Sequence, residues 1–358
     1  MGFEVEHNVG FQVGQTAGNY EFLELLNSSA NEAVYKVRNH LTQRLEALKV
    51  LATDAGGDRE RVERFIREIK VHARLTHPNI VTFYNAAELE GQLVMTMELV
   101  NGITLAERLR LMGSLPWVEA VSHTSQILLA LAFAHEQGII HRNVTPETVI
   151  VTADTTVKLA GFDLAKPMAS PSLTQAGSLL GALKYIPPEQ IRGVMPLDAR
   201  SDLYSVGAVL YEALTGRLPF DTSSQFKLMM DHVNTDPPAP SSVNPKVPQE
   251  FDAIVLKALA KDPADRFQSA DEFRARLEAT KNALRSKIPF APAVIAPEPV
   301  ESAVPAEGYR QLQPEAAVPS FAFEATAETG GRNIPLLMLV SSLVIGVLLA
   351  LLIAVARL

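Results

Sequence analysis

Short alternating runs open the chain and longer helical periodicities follow. From Tyr20 the segments YEFLELL, AVYKV and LEALKVL are each rich in β-prone residues and predict three strands. RVERFIREIKVHARL then changes to a helical spacing, and LVMTMEL returns to a strand. In WVEAVSHTSQILLALAFAHEQG, Val121, Ile127, Leu128, Leu131 and Ala134 fall on one face at intervals of three and four, which predicts an amphipathic helix that Gly138 stops. Residues 1–19 show little periodicity and are expected to form a poorly ordered lead-in. Beyond the last helical pattern, residues 287–333 are rich in Pro, Ala and Glu, the composition of an extended linker. A linker of this length has a root-mean-square reach of about 35–40 Å. The run 334–356, IPLLMLVSSLVIGVLLALLIAVA, carries no charge. As a helix it would span about 34 Å, enough for a bilayer core of about 30 Å, and Pro335 suits its first turn. Only Arg357 and Leu358 follow it, so a C-terminal, single-pass membrane anchor is expected.

Composition narrows the function classes. Hydrophobic residues make up 47 % of the 358 positions and charged ones 20 %, enough for a sizeable core. The net charge of -8 gives no reason to expect nucleic-acid binding, which usually shows a basic surface. With no cysteine there is neither a disulfide nor a thiolate metal site, which is compatible with a reducing compartment. The N-terminal residues lack the charge and apolar run of a signal peptide and the Ser or Thr that myristoylation needs. The domain is therefore expected on the cytoplasmic side; Arg332 and Arg357 balance one another and give no topology signal.

The candidate chemistry lies in two motifs, His141-Arg142-Asn143-Val144-Thr145-Pro146-Glu147-Thr148 and, after it, Gly161-Phe162-Asp163. Upstream stand Ala47-Leu48-Lys49 on a strand, Glu68 on the following helix and His77-Pro78-Asn79-Ile80-Val81. Downstream are Gly181-Ala182-Leu183-Lys184-Tyr185-Ile186-Pro187-Pro188-Glu189, Asp198-Ala199-Arg200-Ser201-Asp202 and Asp262-Pro263-Ala264-Asp265-Arg266-Phe267. In order and spacing, from about Tyr20 to Leu284, these segments resemble the bacterial eukaryotic-type (Hanks-type) Ser/Thr protein kinases. The resemblance implies an α+β fold of two lobes over residues 20–286, a β-rich small lobe and a helical large lobe.

It also implies roles. Lys49, paired with Glu68, would hold nucleotide phosphates. Val34, Ala47, Met97 at the gatekeeper position, the hinge Glu98 to Val100, and Ile150 would line the adenine pocket. His141, Arg142, Phe162, Asp202, Glu189 and Arg266 match fold-holding positions, with an Arg266–Glu189 bridge expected. Lys49–Glu68 is equally readable as a purely structural ion pair. His72, where the family packs an aliphatic side chain, is expected to be a satisfied or partly exposed histidine.

The chemical positions depart from the family. The general-base aspartate is Asn143, and an amide forgoes base assistance typically worth about 10²–10⁴-fold. Thr145 replaces the γ-phosphate lysine, Thr148 the magnesium-binding asparagine and Gly161 the magnesium-binding aspartate. The glycine slots of the phosphate-covering turn hold Asn27, Ser29 and Glu32, so an ordinary solvated hairpin turn is expected there. Asp163 is a candidate replacement metal ligand. On an extended backbone it would be displaced by about 6–7 Å, against a magnesium–oxygen distance of about 2.0–2.1 Å.

The expectation is a pseudokinase: a membrane-anchored scaffold or allosteric module for a protein partner, an active kinase being one candidate. Weak ATP binding stays open and magnesium binding is doubtful. The alternative is an active Ser/Thr kinase with a metal site rebuilt on Asp163. A third class, another nucleotide transfer, has no specific sequence feature behind it. Ser170, Ser172, Thr174 and Ser178 make a hydroxyl-rich loop that, phosphorylated, would suit docking on Arg142.

Overall fold

Alternation along the first strands decides which way each side chain points. The computed structural model describes residues 10–29, 32–51, 59–162 and 181–287. Strands β1 (Thr16–Ala17), β2 (Tyr20–Ser28), β3 (Glu32–Asn39) and β4 (Leu45–Leu51) run antiparallel to their neighbours. With β5 (Phe83–Leu89) and β6 (Gln92–Glu98) they form a six-stranded sheet in the order β1-β2-β3-β4-β6-β5. In β3, Ala33, Tyr35 and Val37 are buried, whereas Glu32, Val34 and Lys36 alternate with them and are only half-buried. Tyr35 and Val37 join Phe22, Leu48, Val50 and Val94 in one apolar layer. The other face of the sheet packs Leu51 and Met95 against Phe65 of helix α1 (Arg59–His72). Positions 65, 68 and 72 share one face of that helix at a spacing of three and four, so Glu68 and His72 are buried together with Phe65.

The lead-in expected over 1–19 is packed in the part the structure describes. Phe11 is 4 % exposed and stacks on Phe22 at 4.4 Å between ring centroids. Gly10 passes under the Tyr35 ring at φ 107°, where a Cβ would collide with the phenol. β1 pairs with β2 through Thr16–Glu21 and Ala17–Tyr20. A lone aromatic between glycines gives no period to read, yet burying one such ring is worth about 1.5–3 kcal/mol.

The large lobe is built on two buried helices. α2 (Leu105–Met112) is capped by Thr104, whose hydroxyl accepts from the Glu107 amide at 3.0 Å. α3 (Trp117–Glu136) covers the expected helical segment, and Val121, Ile127, Leu128, Leu131 and Ala134 are all fully buried. It ends where expected, with Gly138 at φ 71°. α3 packs against the helices Ala199–Thr215 and Ala270–Lys287. Gly207 permits the first of these to approach Ala258, since a Cβ there would lie 2.8 Å from the Ala258 side chain. Strands β7 (Gly102–Thr104), β8 (Val149–Thr152) and β9 (Val157–Leu159) make a small antiparallel sheet that positions the segments on either side of the candidate site.

The chain divides into units 1–291 and 292–358, and every described residue belongs to the first. The helix Ala270–Lys287 carries the domain to the start of the expected linker. The rest of that linker and the apolar run 334–356 lie outside the described residues, as do Asp163, Ser170, Ser172, Thr174 and Ser178. Among the described residues, no helix is long and apolar enough to cross a membrane.

Candidate active site

The small-lobe wall of the site follows from the pleat. Val34 pairs with Lys49 and Ala47 with Met97. Side chains two apart on a strand share a face, so Glu32, Val34, Ala47 and Lys49 stand on one surface. Ala47 is buried, while Val34, Met97, Val100 and Ile150 are half-buried. Lys49 Nζ lies 2.8 and 3.0 Å from the two carboxylate oxygens of Glu68, so the expected ion pair forms. A second carboxylate shares the ammonium: Glu32 Oε2 lies 2.9 Å from the same Nζ. The side chains of Lys49 and Glu68 are almost sealed, whereas that of Glu32 is 36 % exposed.

Glu32 therefore corrects the expectation of a merely solvated turn. The hairpin is there, closed by the Ser29 amide donating to the Glu32 carbonyl at 2.8 Å and by the Glu32 amide donating to Ser29 Oγ at 3.2 Å. Its acidic side chain, however, turns onto the lysine that would hold phosphate. The sequence places an acid two residues before Val34, but only the register that sets Val34 opposite Lys49 makes it a diagonal neighbour within reach of the ammonium.

At the hinge, the Glu98 carboxylate accepts from Lys158 Nζ at 2.8 Å and from the amide and hydroxyl of Thr82 at 3.1 and 3.0 Å. Burial opposes its ionisation, but these donors prevail and hold its carboxyl below the usual range. The side chain thus ties β6 to β9 and is engaged away from any ligand at the hinge. Ile150, on β8, pairs with Thr104 and Lys158.

The catalytic-loop segment is anchored from below. Asp202 accepts from the His141 amide at 2.9 Å and from the Arg142 amide at 2.8 Å. His135 Nε2, at 2.8 Å from the same carboxylate, is a further partner that sequence reasoning missed. His141 donates through Nε2 to the Ala160 carbonyl at 3.0 Å, and Phe162 packs edge-on against its ring at 4.5 Å. Arg142 sits at φ 65°, a conformation rare for a residue with a side chain and held here by Asp202. His72 is fully enclosed, with Nε2 donating to the Val81 carbonyl at 2.9 Å and its ring 6.2 Å from those of Phe83 and Phe162.

The positions that would hold metal are committed elsewhere. The Thr148 hydroxyl accepts from the Thr145 amide at 3.1 Å and is shared between the carbonyls of Thr145 at 2.9 Å and Asn143 at 3.3 Å. Thr145 is itself buried. Gly161 adopts φ 78°, and a Cβ there would come within 3.2 Å of the Thr148 methyl. Any L side chain at 161 is therefore strained as well as crowded. Among the described residues, no group of three or more His, Cys, Asp or Glu side chains could hold a metal ion. These residues do not fit magnesium.

Below the cleft, Arg266 makes a two-pronged pair with Glu189, each oxygen 2.8 Å from a guanidinium nitrogen, as expected. Ser201 donates to the same carboxylate at 2.7 Å, and Arg266 spends further donors on the carbonyls of Ala260, Arg200 and Lys261.

A strand-rich lobe presenting a Lys–Glu pair, facing a helical lobe whose His-Arg loop hangs on a buried aspartate, defines the protein-kinase fold. The family model for the protein kinase domain matches residues 20–276, and this chain belongs to that family. It is 35 % identical over 269 residues to the serine/threonine-protein kinase PrkC of Bacillus subtilis, covering 75 % of this chain and 41 % of that one. It is 40 % identical over 263 residues to the serine/threonine-protein kinase PknB of Mycobacterium leprae, covering 72 % and 42 %. The chain thus spans about two fifths of the length of these curated relatives. The crystal structure of the Mycobacterium tuberculosis PknI kinase domain superposes with a TM-score of 0.58 at 31 % identity, over 75 % of this chain and 99 % of that domain.

Proposed function

We propose that this chain is a pseudokinase: a member of the bacterial Ser/Thr kinase family that does not transfer phosphate and acts as a scaffold or allosteric partner for another protein. An active kinase is the partner that best suits a domain which keeps the fold-holding contacts. The apolar run 334–356 is its single-pass anchor, with the kinase-like domain on the cytoplasmic face, tethered by the linker 287–333.

The observation that carries this reading is the metal side of the cleft. Asn143 offers no carboxylate, Thr148 has given its one hydroxyl to the loop backbone, and Gly161 has a backbone conformation unsuited to a side chain. Phosphoryl transfer depends on positioned charge around the phosphates, and none is supplied at these positions. The likeness to serine/threonine-protein kinases supports descent from phosphate-transferring proteins, while the altered residues support loss of the reaction.

The test is transfer from radiolabelled ATP with magnesium, by the purified full chain, to itself and to generic Ser/Thr protein substrates. The expected result is no transfer above that of Lys49→Met. Magnesium-dependent transfer that disappears in Asp163→Asn would establish the alternative, an active kinase using Asp163. Anchoring is tested separately: the full chain should sediment with membranes and resist carbonate extraction, and a chain ending at residue 333 should not.

A further inference from the structure

Two sources of positive charge normally receive nucleotide phosphates in a site of this shape: a lysine and a bound cation. Here the cation ligands are absent at Thr148 and Gly161, and the lysine is already met by two acids. We infer that Glu32 is a built-in stand-in for phosphate on Lys49, which converts the cleft from a nucleotide site into a nucleoside site that takes adenosine and rejects its polyphosphates. This rests on the pseudokinase reading and adds the ligand class.

The placement is built rather than incidental. The β3–β4 register sets Val34 opposite Lys49, so Glu32 is the diagonal neighbour of Lys49 on the face toward the cleft. The turn that carries Glu32 is closed at both backbone groups by Ser29, which fixes where its side chain starts. The resulting contact, 2.9 Å, matches the 2.8 and 3.0 Å of Glu68. Among the described side chains, one ammonium meets two carboxylates, in a region where Lys49 and Glu68 are nearly sealed and charges are poorly screened. An incoming polyphosphate must displace Glu32 or sit beside it, with no metal to offset the repulsion. Adenosine meets neither obstacle. The family's adenine-lining positions remain apolar as Val34, Ala47, Met97 and Ile150, and the Glu98 side chain is engaged with Lys158 and Thr82.

The experiment is calorimetric titration of the purified full chain and of Glu32→Gln with adenosine, ADP and ATP, each with and without magnesium. In the natural chain adenosine should bind more tightly than ATP. In Glu32→Gln the affinity for ATP should rise by about tenfold or more, with adenosine within about twofold. Unchanged adenosine binding reports that the variant's cleft is intact. Glu32→Asp, which keeps the charge but shortens the reach, should fall between the two.

ATP binding at least as tightly as adenosine to the natural chain overturns the inference, whatever the variants do. An ATP-to-adenosine ratio unmoved by Glu32→Gln overturns it as well. No binding of any ligand to either protein would mean that the adenine half is closed too, which also overturns it. Each of these results leaves the pseudokinase reading standing, because that reading falls only to measured phosphate transfer.

Discussion

Two ion pairs, one in each lobe, have been treated differently by this chain. Arg266–Glu189 is a closed pair: both oxygens are taken by the guanidinium, Ser201 adds a donor, and the Arg266 side chain is fully enclosed. Lys49–Glu68 is shared: a third group, Glu32, enters from a surface turn that is 36 % exposed at its side chain. The first arrangement has no free valence for a ligand and serves only to hold elements together. The second leaves one partner exchangeable, as a site that could respond to a ligand requires. The lesson is that the positions which hold the fold and the positions which do chemistry have come apart. The fold-holding contacts match the family, whereas Thr148 and Glu32, at positions the family uses for metal and phosphate, are engaged in local contacts.

The strongest way to break this comparison is Arg266→Ala. Removing one partner of a buried pair leaves the other charge uncompensated and costs about 3–5 kcal/mol, which denaturant unfolding of the full chain would register as a large fall in midpoint. A loss under about 1 kcal/mol would mean that the pair is not structural.

Next in size is a pH effect in the same region. His232 is buried with Nδ1 2.8 Å from the Tyr204 hydroxyl, and burial, aided by Lys261, pulls its pKa down to about 4 from 6.5. Between those values the unfolded chain binds a proton that the folded chain refuses. Stability is therefore complete above pH 6.5 and lost as pH falls toward 4, by about 3 kcal/mol in total. His232→Gln should flatten that part of the stability profile. An unchanged slope would show that His232 is not the group responsible.

The metal side sharpens the contrast from the other direction. Gly161→Asp restores the family's residue, yet it should cost about 1–2 kcal/mol because of the left-handed backbone and the Thr148 methyl. A neutral or stabilising result would show that the loop relaxes readily and that the metal position is recoverable.

The smallest effect tests sharing itself. Glu32→Gln and Glu68→Gln should each be mild in stability, since either acid alone still pairs Lys49. The double variant should exceed their sum by about 1 kcal/mol, the coupling expected of residues with a common partner. Strict additivity would mean that the two carboxylates do not depend on one another.

By itself the sequence determined the lobes, the helix α3 and its stop at Gly138, the Lys49–Glu68 and Arg266–Glu189 partners and the use of Asp202 under the catalytic loop. Those features rest on periodicity and on motif order, both of which are written locally along the chain. It also showed which chemical residues are missing, because a missing carboxylate is legible as a letter. It did not show what replaced them. That Glu32 reaches Lys49 depends on the register of two strands, and that Thr148 is spent on the backbone depends on a single turn. The conformation of Gly161 and the packing of Phe11 on Phe22 likewise came only from tertiary structure. The physical reason is the same in each case: a side chain's chemistry is fixed by its type, but its availability is fixed by the neighbours that folding brings to it.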